Sequence, residues 1–315
     1  MTYVELHTAS AFSFLQGASL PETLIERAAE LGYDAMALID RNGVYGMPRF
    51  HKAARAAGIR PIVGAEISIA LEGREGREGR VGQAGQVGQV GQVGRAGQAG
   101  QAGRTGVDRR STARAGVSSP SGSTHPSDPS YSTDSPYPPN LPHQSFPTDP
   151  TQVFTLPLLC ESAEGYQNLC RLITRMKLAS PKGEGALPFA ALDGMTGGLV
   201  ALVGRAALDA RRFGVGGLLD RIVGLFGRER TFMELQRHLR RDEEADNQTL
   251  VAMAEAFRVP LLATNGARFA SPAERPLFDV LTCIHHHTDL ARAGRRLAPN
   301  AERYIKSPAQ MAALF

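Results

Sequence analysis

The sequence predicts an α/β fold in which short strands alternate with helices. Apolar runs of four to six residues recur and end in a polar residue or a turn, and amphipathic helical patterns separate them. The composition also changes abruptly at Glu72, between two stretches of globular pattern. The strand–helix–strand order favours parallel strands, whose carboxyl ends gather the chemistry of such folds.

The first three predicted strands end in residues that could form a site. These strands are Val4–His7, Ala35–Asp40 and Pro61–Glu66. Because parallel strands bring their carboxyl ends to one edge of the sheet, we expect His7, Asp40 and Glu66 to lie close together.

Helical patterns fill the intervals between these strands. Ser19 is predicted as the N-cap of the first helix, with Pro21 in its first turn and Glu22 three residues after the cap. A second helix is predicted over Met47–Ala57. The first part of the chain is therefore expected to be a β-α-β-α-β unit that covers residues 1–71.

The segment 72–150 has a different character and is predicted to be a disordered insertion. Glycine occurs at every third position from Gly73 to Gly106, but collagen is excluded because the repeat contains no proline. Val107–Pro150 is rich in Ser, Pro, Thr and Asp and has few aliphatic residues to bury. Because loop closure depends weakly on length, such a surface insertion should destabilise the fold little.

The globular pattern returns over residues 151–290. Further strands are predicted at Phe154–Leu159, Leu199–Val203, Phe232–Gln236 and Leu261–Thr264. Helices are predicted at Glu164–Lys177, Leu218–Phe226 and Asp242–Phe257. The total is seven strands, which suits a distorted barrel of seven βα units.

Composition excludes some classes of protein. The chain has 315 residues, 42% of them hydrophobic, and a formal net charge of +4. No apolar run reaches the roughly 18 residues of a membrane span, and we expect a cytoplasmic protein without membrane partners. The three cysteines lack CxxC spacing and are predicted to be reduced.

Several motifs resemble the PHP (polymerase and histidinol phosphatase) domain of C-family bacterial DNA polymerases. The matching stretches are Leu6–Ser19, Tyr45–Gly46, Gly58–Glu66, Glu164–Leu169 and Pro299–Arg303. Glu234–His238 and Asp279–Ile284 are most similar to the error-prone branch, which resembles the alpha subunit of DNA polymerase III and acts in damage-induced synthesis. The resemblance covers nearly everything except residues 72–150, and it implies a PHP-type distorted (βα)7 barrel.

The same resemblance implies that the family's metal site is degenerate here. Metal-binding members carry His-x-His where this chain has His7 and Ala9, and Asp-His where it has Asp40 and Arg41. Their Asn-Asp-x-His motif is replaced by Asn265-Gly266-Ala267-Arg268, and a further histidine is replaced near Phe154–Thr155. Only the vestigial positions His7, Asp40 and Glu66 remain. Guanidinium groups stay protonated, so Arg41 and Arg268 should oppose cations, and we expect an ion pair with Asp40 or Glu66 and no metal.

Glu234 and His238 leave two interpretations open. Glu234 lies inside a predicted strand and could face a cavity, and His238 follows the same strand. An ordinary hydrogen-bonding role is favoured for both.

Two functions remain open at this stage. One is a metal-free structural PHP domain without catalysis of its own, and the other is a residual metal-dependent phosphoesterase or 3'-5' exonuclease that uses His7, Asp40 and Glu66. Ala9, Arg41, Gly266 and Arg268 favour the first.

The end of the chain suggests a connection to a further region. A capping box at Ser307–Gln310 opens a last helix, and residues 291–315 are expected to begin the connection to a polymerase region. A truncated product or a split gene is the expectation. The implied partners are a polymerase palm region in cis or in trans, DNA through the full-length polymerase, and other damage-induced replication proteins. Mg²⁺ is expected only for the full-length polymerase.

Overall fold

The structure, a computed structural model, describes residues 3–71, 153–181, 185–208 and 214–315. The strands are β1 (Ala35–Arg41), β2 (Arg60–Ala70), β3 (Val153–Cys160), β4 (Leu187–Pro188), β5 (Leu199–Val203), β6 (Thr231–Leu235) and β7 (Leu261–Ala263). The larger helices are α1 (Pro21–Glu30), α2 (Met47–Ala56), α3 (Ala163–Leu178), α5 (Gly214–Phe226), α6 (Glu243–Phe257) and α7 (Arg275–His285). The short helices are α4 (Arg205–Leu208), α8 (Leu290–Ala293) and α9 (Pro308–Leu314).

The strands form a mixed sheet that curls into a half-barrel. Six of them follow the order β1-β2-β3-β5-β6-β7, and the short β4 pairs with β2. The α/β class and the barrel-like arrangement confirm the predicted fold class. The insertion predicted over residues 72–150 lies outside the described residues.

Strand direction differs from the prediction at one place. β1 and β2 are parallel, as are β5, β6 and β7, but β3 is antiparallel to both β2 and β5. Ala70 at the end of β2 pairs with Val153 at the start of β3. Adjacent antiparallel strands need no crossover helix, so this part of the sheet departs from a succession of parallel βα units.

The predicted first strand, Val4–His7, is not a regular strand. The backbone N–H groups of Ala37 and Ile39 donate to the carbonyl oxygens of Glu5 and Thr8, at 2.9 and 2.8 Å. A step of two residues along β1 therefore matches a step of three along the segment. The extra residue reduces the pairing with β1 to one isolated bridge, between Glu5 and Met36. The predicted seven strands are matched in number by the described sheet only because β4, which was not predicted, replaces this segment.

Alternation along the strands divides the side chains between two faces. On the outer face, residues such as Ile67, Leu156 and Ala201 pack against α3, α5 and α6 in the largest apolar cluster. Met36 and Leu38 of β1 pack under α1 and α2. The opposite, inner face carries a smaller apolar cluster around Ile39, Leu159 and Leu202. Successive residues point to opposite faces, so their position in the strand decides which side chains can meet.

The start of α1 differs from the prediction. Leu20, not Ser19, is the N-cap residue, and it makes no side-chain cap. The Ser19 hydroxyl donates to the carboxylate of Glu274 and accepts a hydrogen bond from the backbone N–H of Ala270 at 2.7 Å. The capping box predicted at Ser307 and Gln310 is confirmed at the start of α9. Among the helices of the described residues, none combines the length and apolar character needed to cross a bilayer.

Candidate functional site

The inner face of the sheet opens into a polar cavity of about 280 Å³. Arg41, the last residue of β1, lies beside Glu66 in the strand register, and both side chains line the cavity. β2 continues to Ala70, so Glu66 lies within the strand and not at its end as predicted. Thr155 of β3 also lines the cavity.

His7 makes its shortest contact with Glu234, a residue of β6. The Nδ1 atom of His7 lies 2.7 Å from Oε1 of Glu234, which also accepts a 2.6 Å hydrogen bond from the Thr264 hydroxyl. Burial alone would lower the pKa of His7, but the carboxylates of Glu234 and Glu66 raise it above its ordinary value. His7 and Glu234 thus form a buried ion pair between the amino-terminal segment and β6.

Glu66 is the centre of a second set of charges. Its Oε1 atom lies 3.8 Å from Nη2 of Arg268 and 3.8 Å from Nε2 of His7. Burial would raise the pKa of Glu66, but the positive charges of Arg268, His7, Arg41 and Arg303 lower it below its usual range. The ion pair that the sequence predicts for one of the two carboxylates is thus formed by Glu66 with Arg268.

Asp40 does not line the cavity. It accepts hydrogen bonds from the backbone N–H groups of Ser10 and Gly46, each at 2.9 Å, and from the hydroxyls of Ser10 and Ser13. Asp40 shares the face of Met36 and Leu38, whereas Arg41 shares the inner face. Gly46 is required there, since an added Cβ would lie 2.6 Å from Oδ2 of Asp40. The expectation that His7, Asp40 and Glu66 meet is therefore wrong for Asp40.

His238 and Glu243 form a separate buried pair at the cavity wall. Their side chains are 2.9 Å apart between Nδ1 and Oε1, and Nε2 of His238 lies 2.8 Å from the carbonyl oxygen of Asn265. Burial and the charge of Arg303 lower the pKa of His238 to about 4. His238 is thus a neutral hydrogen-bonding group, as the sequence favoured.

The residues of the cavity do not fit a divalent cation. A metal ion would need several neutral or anionic donors at about 2.0–2.2 Å. Glu234 already occupies Nδ1 of His7, and guanidinium groups of Arg41, Arg268 and Arg303 face the remaining space near Glu66. Within the described ranges, no group of three or more His, Cys, Asp or Glu residues is placed to hold a metal ion.

Two contributors were not identified from the sequence as site residues. From the sequence, Glu234 is predicted only as a possible cavity-facing group. Its position as the one charged residue of an otherwise mostly apolar strand is the signal that could have identified it. Arg303 is the last residue of the motif Pro299–Arg303, and nothing in the local pattern places its side chain in the cavity. Its backbone carbonyl accepts a 2.8 Å hydrogen bond from the N–H of Arg268, which brings the two arginines together.

This architecture defines a class of protein: a curled α/β half-barrel with a polar cavity on its inner face. The family model "PHP domain" matches residues 5–238. The chain therefore belongs to the PHP domain family.

The sequence is also similar to bacterial proteins named error-prone DNA polymerase. It is 32% identical to that of Anaeromyxobacter dehalogenans over 99% of this chain and 21% of that protein. The identity is 31% with the protein of Mycolicibacterium paratuberculosis, over 99% of this chain and 23% of the relative. For Mycobacterium bovis it is 30%, over 100% of this chain and 23% of the relative. The chain thus spans between a fifth and a quarter of the length of these relatives.

A crystal structure from Bifidobacterium adolescentis, of a protein assigned by inference as a metal-dependent phosphoesterase, covers 84% of this chain and 87% of its own. The sequence identity is 10% and the TM-score is 0.44, a similarity too low to carry an argument about function.

Proposed function

We propose that this chain is a metal-free structural PHP domain of an error-prone DNA polymerase. The observation that carries the proposal is the Arg268 guanidinium, whose Nη2 atom lies 3.8 Å from Glu66, the acid that a catalytic cation would need. A guanidinium is effectively always protonated, so it repels a cation from this position.

The remaining polar groups of the cavity support a structural role. His7 and Glu234 are 7% and 5% exposed as side chains, and their 2.7 Å contact links segments 227 positions apart in sequence. A nucleophile or a general base would need a side chain that is free to reach a substrate. Here both groups are used to join the amino-terminal segment to the sheet.

The part of the proposal that concerns the whole protein rests on the similarity of this chain to error-prone DNA polymerases. We infer a role in damage-tolerant DNA synthesis together with a polymerase palm region, supplied in cis or in trans. DNA and the Mg²⁺ of nucleotidyl transfer would be bound by that region, and other damage-induced replication proteins are further partners.

Metal content and hydrolysis test the proposal directly. The purified chain is expected to hold no stoichiometric zinc, manganese or iron by elemental mass spectrometry. It is also expected not to hydrolyse bis(p-nitrophenyl) phosphate or single-stranded DNA in the presence of Mn²⁺. One or more tightly bound ions per chain, or Mn²⁺-dependent hydrolysis that His7→Ala abolishes, would show the residual phosphoesterase instead.

The arginines supply a matched comparison. Replacing both Arg41 and Arg268 with alanine removes two positive charges from the cavity wall while His7 and Glu66 remain. This variant should bind Mn²⁺ more tightly than the wild type. Equal Mn²⁺ affinity in the two proteins would show that the guanidinium groups are not what excludes the cation.

A further inference from the structure

Helix α7 carries an apolar stripe on its exposed side. Leu277, Val280 and Ile284 are 49%, 43% and 52% exposed, and their spacing of three and four residues places them on one face. Another side of the helix packs on the domain, where the ring of Phe278 lies 5.8 Å from that of Phe269 between centroids. A surface helix normally has polar residues on the face away from its packing contacts. The exposed face of α7 has aliphatic side chains instead.

Exposed apolar side chains are concentrated in this part of the chain. Of the twelve large ones exposed among the described residues, seven follow residue 238, where the match to the PHP family model ends. The seven are Leu239, Leu261, Leu277, Val280, Ile284, Leu290 and Phe315. Single exposed apolar residues are ordinary, but three on one helix face form a patch of the kind that contacts with a partner bury. The α7 stripe therefore marks an interaction surface.

The segment that follows α7 folds back along it. α8 begins at Leu290 and contacts α7. The carbonyl oxygen of Ala298 then accepts a hydrogen bond from the side chain of Arg275, the first residue of α7. Because the chain returns from the end of the helix to its start, residues 290–298 form an edge that runs beside α7.

This edge is basic. Arg292, Arg295 and Arg296 are all exposed. Arg292 lies 3.6 Å from Asp289, but within the described residues Arg295 and Arg296 make neither a hydrogen bond nor an ion pair. These two guanidinium groups are therefore free to bind the acidic side chains of a partner. An apolar stripe and a basic edge thus lie side by side.

The two features together fit an amphipathic helix with acidic residues on its flank. Such a helix packs apolar residues at positions i, i+3 or i+4, and i+7 on an apolar surface. Its carboxylates accept charge-assisted hydrogen bonds from Arg295 and Arg296. Two turns of helix, about 11 Å, span the stripe from Leu277 to Ile284.

Other occupants fit this surface less well. A nucleic acid would neutralise the arginines, but its bases stack on aromatic rings, and the stripe is aliphatic. A membrane takes up side chains that reach about 5–10 Å into the lipid boundary, whereas those of the stripe are only about half exposed. A second copy of α7 offers no free carboxylate, because Asp279, the one acid of the helix, lies 2.7 Å from Arg275.

We propose that the α7 stripe and the basic edge bind an acidic amphipathic helix of a separate protein. Burial of the stripe supplies the affinity, and Arg295 and Arg296 select the sign of the partner's charge. The residues concerned differ from those that line the polar cavity, so the interaction goes beyond the structural role proposed above.

Fluorescence anisotropy with two synthetic peptides tests this surface. Both are helical peptides of about 18 residues with leucine along one face, and their flanks carry glutamate in one and lysine in the other. The full chain should bind the glutamate peptide at least about tenfold more tightly than the lysine peptide. Equal affinity for the two peptides, or preference for the lysine peptide, would contradict the proposal.

Variants of the full chain assign the binding to this surface. Val280→Asp should weaken binding of the glutamate peptide at least about tenfold, because it places a negative charge in the stripe. Leu178→Asp is the matched control, since Leu178 is a 72% exposed residue at the end of α3. It should change the affinity less than about twofold. Loss of binding in both variants, or in neither, would overturn the assignment.

A second pair of variants tests the basic edge. Arg295→Glu combined with Arg296→Glu should reverse the preference, so that the lysine peptide binds more tightly. Arg55→Glu, at an exposed position of α2, is the control and should leave the preference unchanged. All of these positions are exposed, and circular dichroism should show the same fold in each variant.

Two further probes distinguish the other classes of partner. Phosphatidylglycerol vesicles test a membrane surface, and an oligothymidine tests a single-stranded nucleic acid. Binding of either probe that Val280→Asp abolishes, without binding of the glutamate peptide, would replace the proposed partner. These measurements are independent of metal content, so their failure leaves the metal-free structural role untouched.

Discussion

Asp40 shows how a single residue's place in a strand decides its role. It is 1% exposed and accepts hydrogen bonds from the loop that contains Ser10 and Ser13 and from the start of α2. Its neighbour Arg41 points to the opposite face and lines the cavity. Asp40 is therefore a residue that joins the first loop to α2, and it lies outside the charge cluster around Glu66.

Asp40→Asn is expected to lower the free energy of unfolding by about 2–3 kcal/mol. The side-chain N–H₂ group of asparagine is a donor, and it would face buried donors that now bind a carboxylate oxygen of Asp40. Chemical denaturation measures this change. Asp34→Asn, at an exposed position just before β1, is the control and should change stability by less than about 0.5 kcal/mol. An effect of Asp40→Asn no larger than that of the control would contradict the role assigned to Asp40.

The buried pair of His7 and Glu234 predicts how stability depends on pH. The pKa of His7 is raised on folding, so its contribution is complete below the unfolded value of about 6.5 and is lost as pH rises through the folded value. Burial would raise the pKa of Glu234, but the charge of His7 and the hydrogen bonds to the carboxylate lower it below its usual range. The contribution of Glu234 is therefore lost as pH falls through its folded value. The pair should therefore stabilise the protein most between about pH 4.5 and 6.5.

Glu234→Gln should lower the free energy of unfolding by about 3 kcal/mol in this range and by less above it. Denaturation of the wild type and the variant across pH 4 to 9 measures the difference. Glu30→Gln, which breaks the exposed pair of Glu30 with Arg27 at 2.8 Å, is the control and should show little dependence on pH. A constant difference for Glu234→Gln at all pH values would show that His7 is not charged in the folded protein.

At the scale of elements, the start of α1 is determined by its contact with the carboxyl-terminal part of the chain. Ser19 would be an ordinary N-cap in an isolated helix, but its hydroxyl binds Glu274, which itself belongs to the capping box that leads into α7. The first backbone N–H groups of α1 consequently lack a side-chain cap from Leu20, an N-cap residue that is 46% exposed.

Leu20→Ser should raise the free energy of unfolding by about 0.5–1 kcal/mol, because serine accepts a hydrogen bond from the uncapped turn. Ser19→Ala should lower it by about 1–2 kcal/mol, because it leaves the buried N–H of Ala270 with one acceptor fewer and the Glu274 carboxylate with one donor fewer. Thermal denaturation of both variants measures these opposite shifts. Stabilisation by Ser19→Ala would contradict the role assigned to the Ser19 hydroxyl, and destabilisation by Leu20→Ser would contradict Leu20 as the uncapped N-cap position.

At the scale of the whole molecule, β2 and β3 are direct neighbours although 82 residues lie between Ala70 and Val153 in sequence. Their ends are paired, so a short hairpin loop could connect them. The described sheet therefore does not need residues 73–147 to connect β2 to β3.

Deletion of residues 73–147 is expected to leave the barrel folded and to shift its melting temperature by only a few degrees, since loop closure depends weakly on length. Circular dichroism and thermal melting of the shortened chain test this. Extending the deletion through Phe154, which is 5% exposed and packs in the main apolar cluster, is the comparison and should destabilise the fold strongly. An insoluble 73–147 deletion would show that the segment packs on the barrel.

The proposed structural role predicts that this chain alone does not extend a DNA primer. Nucleotidyl transfer needs carboxylates that hold two divalent ions, whereas Glu66 lies near Arg268, Glu234 is paired with His7, and Asp40 is enclosed by hydrogen-bond donors. A primer-extension assay with Mg²⁺ should give product only when a separately expressed palm-containing fragment is added. Extension by this chain alone that is unaffected by removing contaminating polymerases would contradict the proposal.

The sequence alone was sufficient for most elements and for part of the site. Helical periodicity and apolar runs located six of the strands and five of the larger helices, α1, α2, α3, α5 and α6, because these signals are local. The motifs around His7 and Glu66 identified the family. The expectation that cation ligands are lost rests on the residue types of Arg41 and Arg268, since a guanidinium group keeps its positive charge wherever it lies, and it stays a prediction.

Tertiary structure decided the rest. The antiparallel direction of β3 depends on pairing across a long insertion, and the irregular pairing of Val4–His7 depends on one extra residue against β1. Asp40 and Arg41 are adjacent in sequence, but the alternation of the strand sends one to α2 and the other to the cavity. Arg303 reaches the same cavity from the far end of the chain, because folding brings together charges that no local pattern connects.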